Sequence, residues 1–273
     1  MNANIHAAVY HQPWFITPDG WATIDELVHN HSTGAVGVDP EARAGLIGHV
    51  RDEMVIDREG IARIDISGPL APRLGMIEKA CGATDYGDLR AELLEANQRA
   101  RGVLLVNNSP GGACIGCYTI MQQVASMDIP VVAHAQTMAC SACYMISSPA
   151  DKIYAESSAV VGSIGAVASL IERGEELSKM GRRLVTITST GAEKKVIGGD
   201  GYISAEEEER IQAMLDDFVE PIIHDIRSFR DMDDEAYSGQ MFVATRAIRL
   251  GLIDGISTDE AESRESLLRL IHG

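Results

Sequence analysis

The chain predicts an α/β fold with a largely parallel sheet, and three observations carry that expectation. Val103-Leu104-Leu105-Val106 and Val131-Val132-Ala133 are short continuous apolar runs, the pattern of strands buried on both faces. Segments with apolar residues at helical spacing, such as Tyr86, Leu89 and Leu93, separate such runs. A long amphipathic helix follows in the C-terminal half, where Ser204 and Glu207 form a capping box. Strands alternating with helices imply βαβ connections and hence parallel pairing.

The elements follow in order. Pro18-Asp19-Gly20 reads as a turn before a helical stretch through Trp21, Ile24, Leu27 and Val28, and Pro40 to Val50 as a second short helix. Ile64 and Ile66 alternate with polar residues, so a strand is expected from Ile61. Thr84 is expected to cap the helix of Tyr86, Leu89 and Leu93. Asn108-Ser109-Pro110-Gly111-Gly112 breaks the chain after Val106, and Ile115, Tyr118 and Met121 then mark a helix face. After the strand Val131 to Ala135, Ser141 to Ser147 reads as a helix and Lys152 to Ala155 as a strand. Gly162-Ser163-Ile164-Gly165 is a glycine-bracketed turn. Leu170, Ile171, Leu177 and Met180 mark a helix, Leu184 to Thr188 a strand, and Ile211 through Ile226 the long helix. Taken from Ser204 to about Arg230, that helix reaches about 40 Å at about 1.5 Å per residue. Its Phe218, Ile222 and Ile226 are expected to leave apolar surface for a neighbouring subunit.

Composition narrows the function. The 273 residues are 45% hydrophobic and 23% charged, an ordinary globular balance. A net charge of −17 argues against a surface built for nucleic acid or anionic membranes, which need clustered Lys and Arg. No run approaches the roughly 18 apolar residues of a membrane span. The first residues lack the charged start and apolar stretch of a signal peptide. A soluble, cytoplasmic chain without a membrane partner is the expectation. Four of the five cysteines form the pairs Cys114/Cys117 and Cys140/Cys143. That spacing suits zinc or redox chemistry, but small-residue surroundings favour cysteine as a space-filling core residue. No metal and no cofactor is expected.

Two segments carry chemistry. Ala139-Cys140-Ser141-Ala142-Cys143-Tyr144 sets a serine among small residues just after an apolar run, and Gly191-Ala192-Glu193-Lys194 offers a lysine downstream. A serine hydroxyl needs a base. No histidine stands between His134 and His224, so a lysine that burial keeps neutral is the alternative. Ser141 also suits a plain helix cap. A helix start is equally where free backbone N–H groups favour an attacking oxygen. Glycines at 111 and 112 allow close approach of a backbone N–H, or simply a turn. Ser163 suits a turn or a place beside the lysine, and His134 a satisfied core histidine.

With these blocks in view, the chain resembles the signal peptide peptidase A family of serine–lysine peptidases, and within it the soluble phage and prophage branch of capsid-assembly proteases. Asn108-Ser109-Pro110-Gly111-Gly112, Met138 to Tyr144, Gly162-Ser163-Ile164-Gly165 and Gly191-Ala192-Glu193-Lys194 carry the likeness, in that order. It spans about residues 61–255. The resemblance implies a Clp-protease-like, crotonase-type fold of repeated ββα units and homo-oligomers whose sites face a shared cavity. It assigns Ser141 as nucleophile and Lys194 as base, with Lys195 as the neighbouring rival. It places one oxyanion donor at Gly111 or Gly112 and another at the Ala142 N–H, with Ser163 orienting the lysine or lining the cleft. The chain departs from the family at Cys140 and Cys143, where alanine or glycine is usual, and at Glu193, where histidine is common. The expected division is an N-terminal extension over 1–58, a serine peptidase domain over 59–256 and a tail helix over 257–273. The expected activity is endopeptidase cleavage of unfolded or flexible polypeptide segments, with phage capsid or scaffold protein among the candidates and small side chains in a shallow apolar pocket. The alternative is a catalytically idle scaffold of the same fold.

Overall fold

The computed structural model describes residues 14–17, 53–75, 78–79 and 82–273. The helices expected over Trp21–Val28 and Pro40–Val50 lie outside the described residues, as does Cys81.

The main sheet has eight strands. Its central path runs β11 (Met241–Val243), β10 (Val160–Gly162), β8 (Val131–Cys140), β6 (Gly102–Ser109), β3 (Ile61–Ser67), β2 (Val55–Ile56). Strands β3, β6, β8 and β10 pair in parallel, and β2 and β11 close the two ends antiparallel. Strand β8 forks: Val132–Ala135 pairs with β9 (Lys152–Glu156), whereas Met138–Cys140 pairs with β10. Strand β9 continues in parallel to β12 (Gly255–Ser257). A mixed α/β fold with a mostly parallel sheet is therefore what the molecule has.

Both faces of the sheet are covered, as continuous apolar runs require. Ile64, Ile66, Val103, Leu105 and Ala133 face one core with the helices α1 (Tyr86–Arg99), α2 (Cys114–Ala125) and α3 (Ala142–Ser147). Ile61, Leu104, Val106 and Val132 face the other way, onto Leu267 of the C-terminal helix Glu260–His272. Arg63 ties the start of that helix to the sheet with a 2.7 Å bond from Nε to Glu260.

A second, four-stranded sheet stands at the C-terminal ends of these strands. Its order is β1 (Trp14–Ile16), β7 (Gly111–Ala113), β4 (Leu70–Ala71), β5 (Thr84–Asp85). Gly112 is required there: a Cβ at that position would lie 1.9 Å from the Leu70 carbonyl oxygen, so only glycine lets β7 approach β4.

Several expectations shift. Asp85, not Thr84, caps α1, accepting from Gly87 and Asp88 N–H; Thr84 is a strand residue whose Oγ1 donates to the Ser67 carbonyl. In α2 the buried face is Cys117, Ile120, Met121 and Val124, while Ile115 and Tyr118 are exposed, because a left-handed Gly116 (φ 100°) breaks the helical phase. The helix expected from Leu170 covers only Gly174–Lys179. Leu184–Thr188 forms no strand and pairs with no strand edge among the described residues, and its Leu184, Val185 and Ile187 are exposed. The capping box of the long helix Ala205–Phe229 is present as expected. Its Ile222 and Ile226 are buried within the chain rather than left for a neighbour, and Phe218 packs on the same core. Pro221 sits inside this helix.

Candidate active site

Strand β8 delivers Ser141. Cys140 pairs with Gly162 of β10, and the Ser141 N–H donates to the Gly162 carbonyl at 2.7 Å. The chain then turns abruptly into α3, with Ser141 at φ 51° and ψ −119°. A non-glycine residue in that region stores strain that the surroundings must hold, and such outliers gather at functional sites. Here they do hold it: Ala139, Cys140, Ala142 and Cys143 are all buried, and Ser141 itself is 1% exposed. Small side chains are what so sharp a strand-to-helix turn inside a core tolerates. Ser141 Oγ donates to the Gly165 carbonyl at 3.4 Å.

The flanking cysteines do not compete as nucleophiles. Burial pushes the Cys140 thiol up to about 12. Burial, with Cys140 and Cys117 beside it, raises Cys143 well above the usual thiol range. Burial raises Cys117 as well, and its Sγ lies 3.8 Å from the Ala142 carbonyl. A buried, protonated thiol is inert packing. Among the described residues no three His, Cys, Asp or Glu side chains converge on a metal position.

Helix α3 packs against β7, which brings Ala142 and the two glycines to one side of the site. Ala142 opens the helix, so its N–H has no acceptor within it. The Gly111 N–H donates to Ser109 Oγ at 3.2 Å, and that hydroxyl donates to the Gly68 carbonyl at 2.6 Å. Sequence reasoning gave Ser109 no role, although it stands in the same block. Ser163 is buried, at φ 54°, with its N–H on the Gln240 carbonyl at 2.7 Å. A left-handed, non-glycine backbone thus occurs at Ser141 and again at Ser163 beside it.

Lys194 stands apart from this group. It lies in an exposed turn, Glu193–Lys195, and its carbonyl accepts from Arg210. Among the described residues no hydrogen bond joins it to Ser141. Lys195, its rival, is exposed in the same turn. His134 is buried on β8, with Nδ1 2.9 Å from Ser263 Oγ and 3.3 Å from Ser257 Oγ. Burial holds its imidazole below the usual histidine range, against the pull of Glu156 and Glu260. It is a core histidine, as its strand position suggested, but only half satisfied: its buried Nε2 has no hydrogen-bond partner among the described residues, with Glu156 3.6 Å away.

Residues 123–267, more than half the chain, match the description Peptidase family S49. The chain belongs to that family. Two relatives show how far the likeness extends. A protease-named protein of Methanocaldococcus jannaschii is 31% identical over 61% of this chain and 55% of its own length. The capsid assembly protease C of Escherichia phage lambda is 30% identical over 73% of this chain and 47% of its own length. The chain thus spans about half the length of these relatives. Among solved structures, a membrane-bound stomatin-specific protease mutant overlaps 74% of this chain and 80% of its own at 16% identity, with a TM-score of 0.43. No helix among the described residues is long and apolar enough to cross a membrane.

Proposed function

We propose that this S49 member is a serine endopeptidase whose nucleophile is Ser141 and whose base is Lys194. The observation that carries the reading is the strained turn at Ser141, buried among small residues beside two glycines, in a chain of a peptidase family. In the proposed reaction Ser141 Oγ bonds to the scissile carbonyl carbon while its proton passes to a neutral Lys194 amine. The carbonyl oxygen becomes an oxyanion facing the Ala142 N–H and the N–H of Gly111 or Gly112. The lysine then gives its proton to the leaving amine, and water, deprotonated by the same lysine, releases the acyl group.

Gly112 is the better donor of the two, because the Gly111 N–H is already engaged by Ser109. The lysine has to come to the serine, since its turn is solvent-exposed in the single chain. The segment that carries it, residues 167–202, exposes Ile171, Met180, Val185 and Ile187. A second copy covering that surface would bury the lysine and favour its neutral form. A homo-oligomer therefore belongs to this reading. So do flexible polypeptide segments as substrates, with capsid or scaffold protein suggested by the phage relative's name.

The test is labelling by a fluorophosphonate together with cleavage of unfolded casein. Ser141→Ala and Lys194→Ala are each expected to lose activity by about a thousandfold or more, and Ser141→Ala to lose the label. A Ser141→Ala chain that still cleaves overturns the reading. Loss in Lys195→Ala with full activity in Lys194→Ala moves the base by one position.

A further inference from the structure

Strand β1 lies between the two segments that flank Ser141. On one side it runs antiparallel to β7, with Trp14 opposite Ala113, Phe15 opposite Gly112 and Ile16 opposite Gly111. The Thr17 N–H donates to the Pro110 carbonyl at 3.0 Å. On the other side Trp14 exchanges two bonds with Val167, its N–H donating at 3.0 Å and its carbonyl accepting at 2.9 Å. Val167 stands just beyond Gly165, whose carbonyl holds Ser141 Oγ.

The ladder rule extends these contacts. Directly opposed residues of an antiparallel pair alternate between exchanging hydrogen bonds and exchanging none. The bond from Thr17 to Pro110 marks that pair as bonded, so the pair two residues back, Phe15 and Gly112, is bonded too. The Gly112 N–H therefore faces the Phe15 carbonyl. With Gly111 engaged by Ser109, neither glycine N–H is open to an oxyanion in this state. Trp14, Ile16 and Thr17 are buried.

Every backbone bond that β1 makes here is one any extended polypeptide could make, because main-chain pairing to strand edges does not depend on the side chains. We propose that Trp14–Thr17 is a built-in occupant of the substrate slot, which an incoming polypeptide must displace before it can reach Ser141. This rests on the peptidase reading given above. The occupant also shows what the slot takes: an extended segment, antiparallel to Gly111–Ala113, with large apolar side chains at alternate positions, as Trp14 and Ile16 are. Being part of the same chain, it competes at an effective concentration of order millimolar, so weak substrates are excluded.

The experiment uses the full chain and a fluorescein-labelled peptide with the sequence of residues 12–19. Thr17→Pro removes the N–H that donates to Pro110. This variant is expected to bind the peptide at least about tenfold more tightly than wild type, by fluorescence anisotropy, and to label faster with the fluorophosphonate. Equal binding by a folded Thr17→Pro chain overturns the proposal. Tighter binding without any labelling at Ser141 keeps the slot and overturns the peptidase reading instead. Should Thr17→Pro not fold, hydrogen exchange answers on the unaltered chain. Saturating peptide is expected to speed exchange at the Trp14 and Thr17 N–H groups, and unchanged protection there overturns the proposal.

Discussion

The surroundings of Ser141 and of Lys194 differ in almost every physical respect. Ser141 ends a strand paired on both sides, opens a wholly buried helix, and has its backbone N–H and its hydroxyl on named acceptors. Lys194 sits on one short turn in a stretch, 167–202, whose only regular helix is Gly174–Lys179. That stretch presents Ile171 at 66% and Ile187 at 89% exposure. Among the described residues the core thus builds the nucleophile's half of the proposed site and leaves the base's half exposed. Burying apolar area is the dominant stabilising effect, worth about 25 cal/mol per Å². Large exposed apolar patches are where contact surfaces are usually found.

Two glycines put that contrast to its strongest test. Gly112 has the Leu70 carbonyl oxygen 1.9 Å from where a Cβ would stand, whereas Gly191, at φ 82°, has nothing within 4 Å. Gly112→Ala must push β4 and β7 apart, an overpacking expected to cost about 3 kcal/mol or more. It should remove activity with it. Gly191→Ala meets only the left-handed strain of an L-residue, about 1 kcal/mol. Urea unfolding of the two variants measures the difference. Similar losses would mean that the 167–202 stretch, the arm that carries Lys194, is as tightly built as the core.

The same contrast decides how much could be read from the sequence. Val103–Val106 and Val131–Ala133 were legible because their burial is local to the chain: neighbours on either side and helices above and below are all encoded here. The capping box at Ser204 was legible because it is a contact across one turn. Leu184–Thr188 carries the same kind of apolar pattern but pairs with no strand edge among the described residues, where Leu184, Val185 and Ile187 are exposed, so an apolar run by itself did not decide a strand. The phase of α2 was lost through one residue, Gly116, whose φ of 100° no periodicity reveals. The place of Trp14–Ile16 was not legible at all. A three-residue strand has too few positions to show a period, and its partners, Gly111–Ala113 and Val167, are remote in sequence. For the candidate site, the small residues around Ser141 and the glycine pair stand out in composition, but their roles came from the resemblance. The separation of Lys194 from them showed in neither.

A gentler probe of the core side is pH. His134 is fully buried and faces Ser257 and Ser263 at Nδ1, with Glu156 3.6 Å from Nε2 and Glu260 and Asp259 further off. Burial lowers its folded-state value below 6.5 more than the carboxylates raise it. The unfolded chain therefore binds a proton that the folded chain refuses as pH falls below 6.5. Stability is full above that value and declines as pH drops toward the depressed folded value. Thermal melts at pH 5 and pH 7.5 should show the lower midpoint at pH 5. His134→Gln, which cannot titrate, should shrink the gap. A gap as wide in the variant would assign the dependence to other groups.

The smallest expected effect on folding lies in the arm, and there it is the most informative. Ile187 is 89% exposed, so Ile187→Ser removes almost no contact within the chain. Surface changes of that kind alter folding free energy by less than about 0.5 kcal/mol, and in dilute protein the variant should melt with wild type. The outcome changes if a second copy covers the arm. Association stabilises the folded state by mass action, so the wild-type midpoint then rises with protein concentration. Ile187→Ser, by placing a hydroxyl where apolar surface was to be buried, would flatten that rise and slow labelling of Ser141 without touching any residue around it. Melts across a hundredfold range of concentration, read together with the labelling rate, separate the two cases. A midpoint independent of concentration in both chains would mean that the arm is not completed by another copy. Lys194 would then have to reach Ser141 by a movement of its own segment.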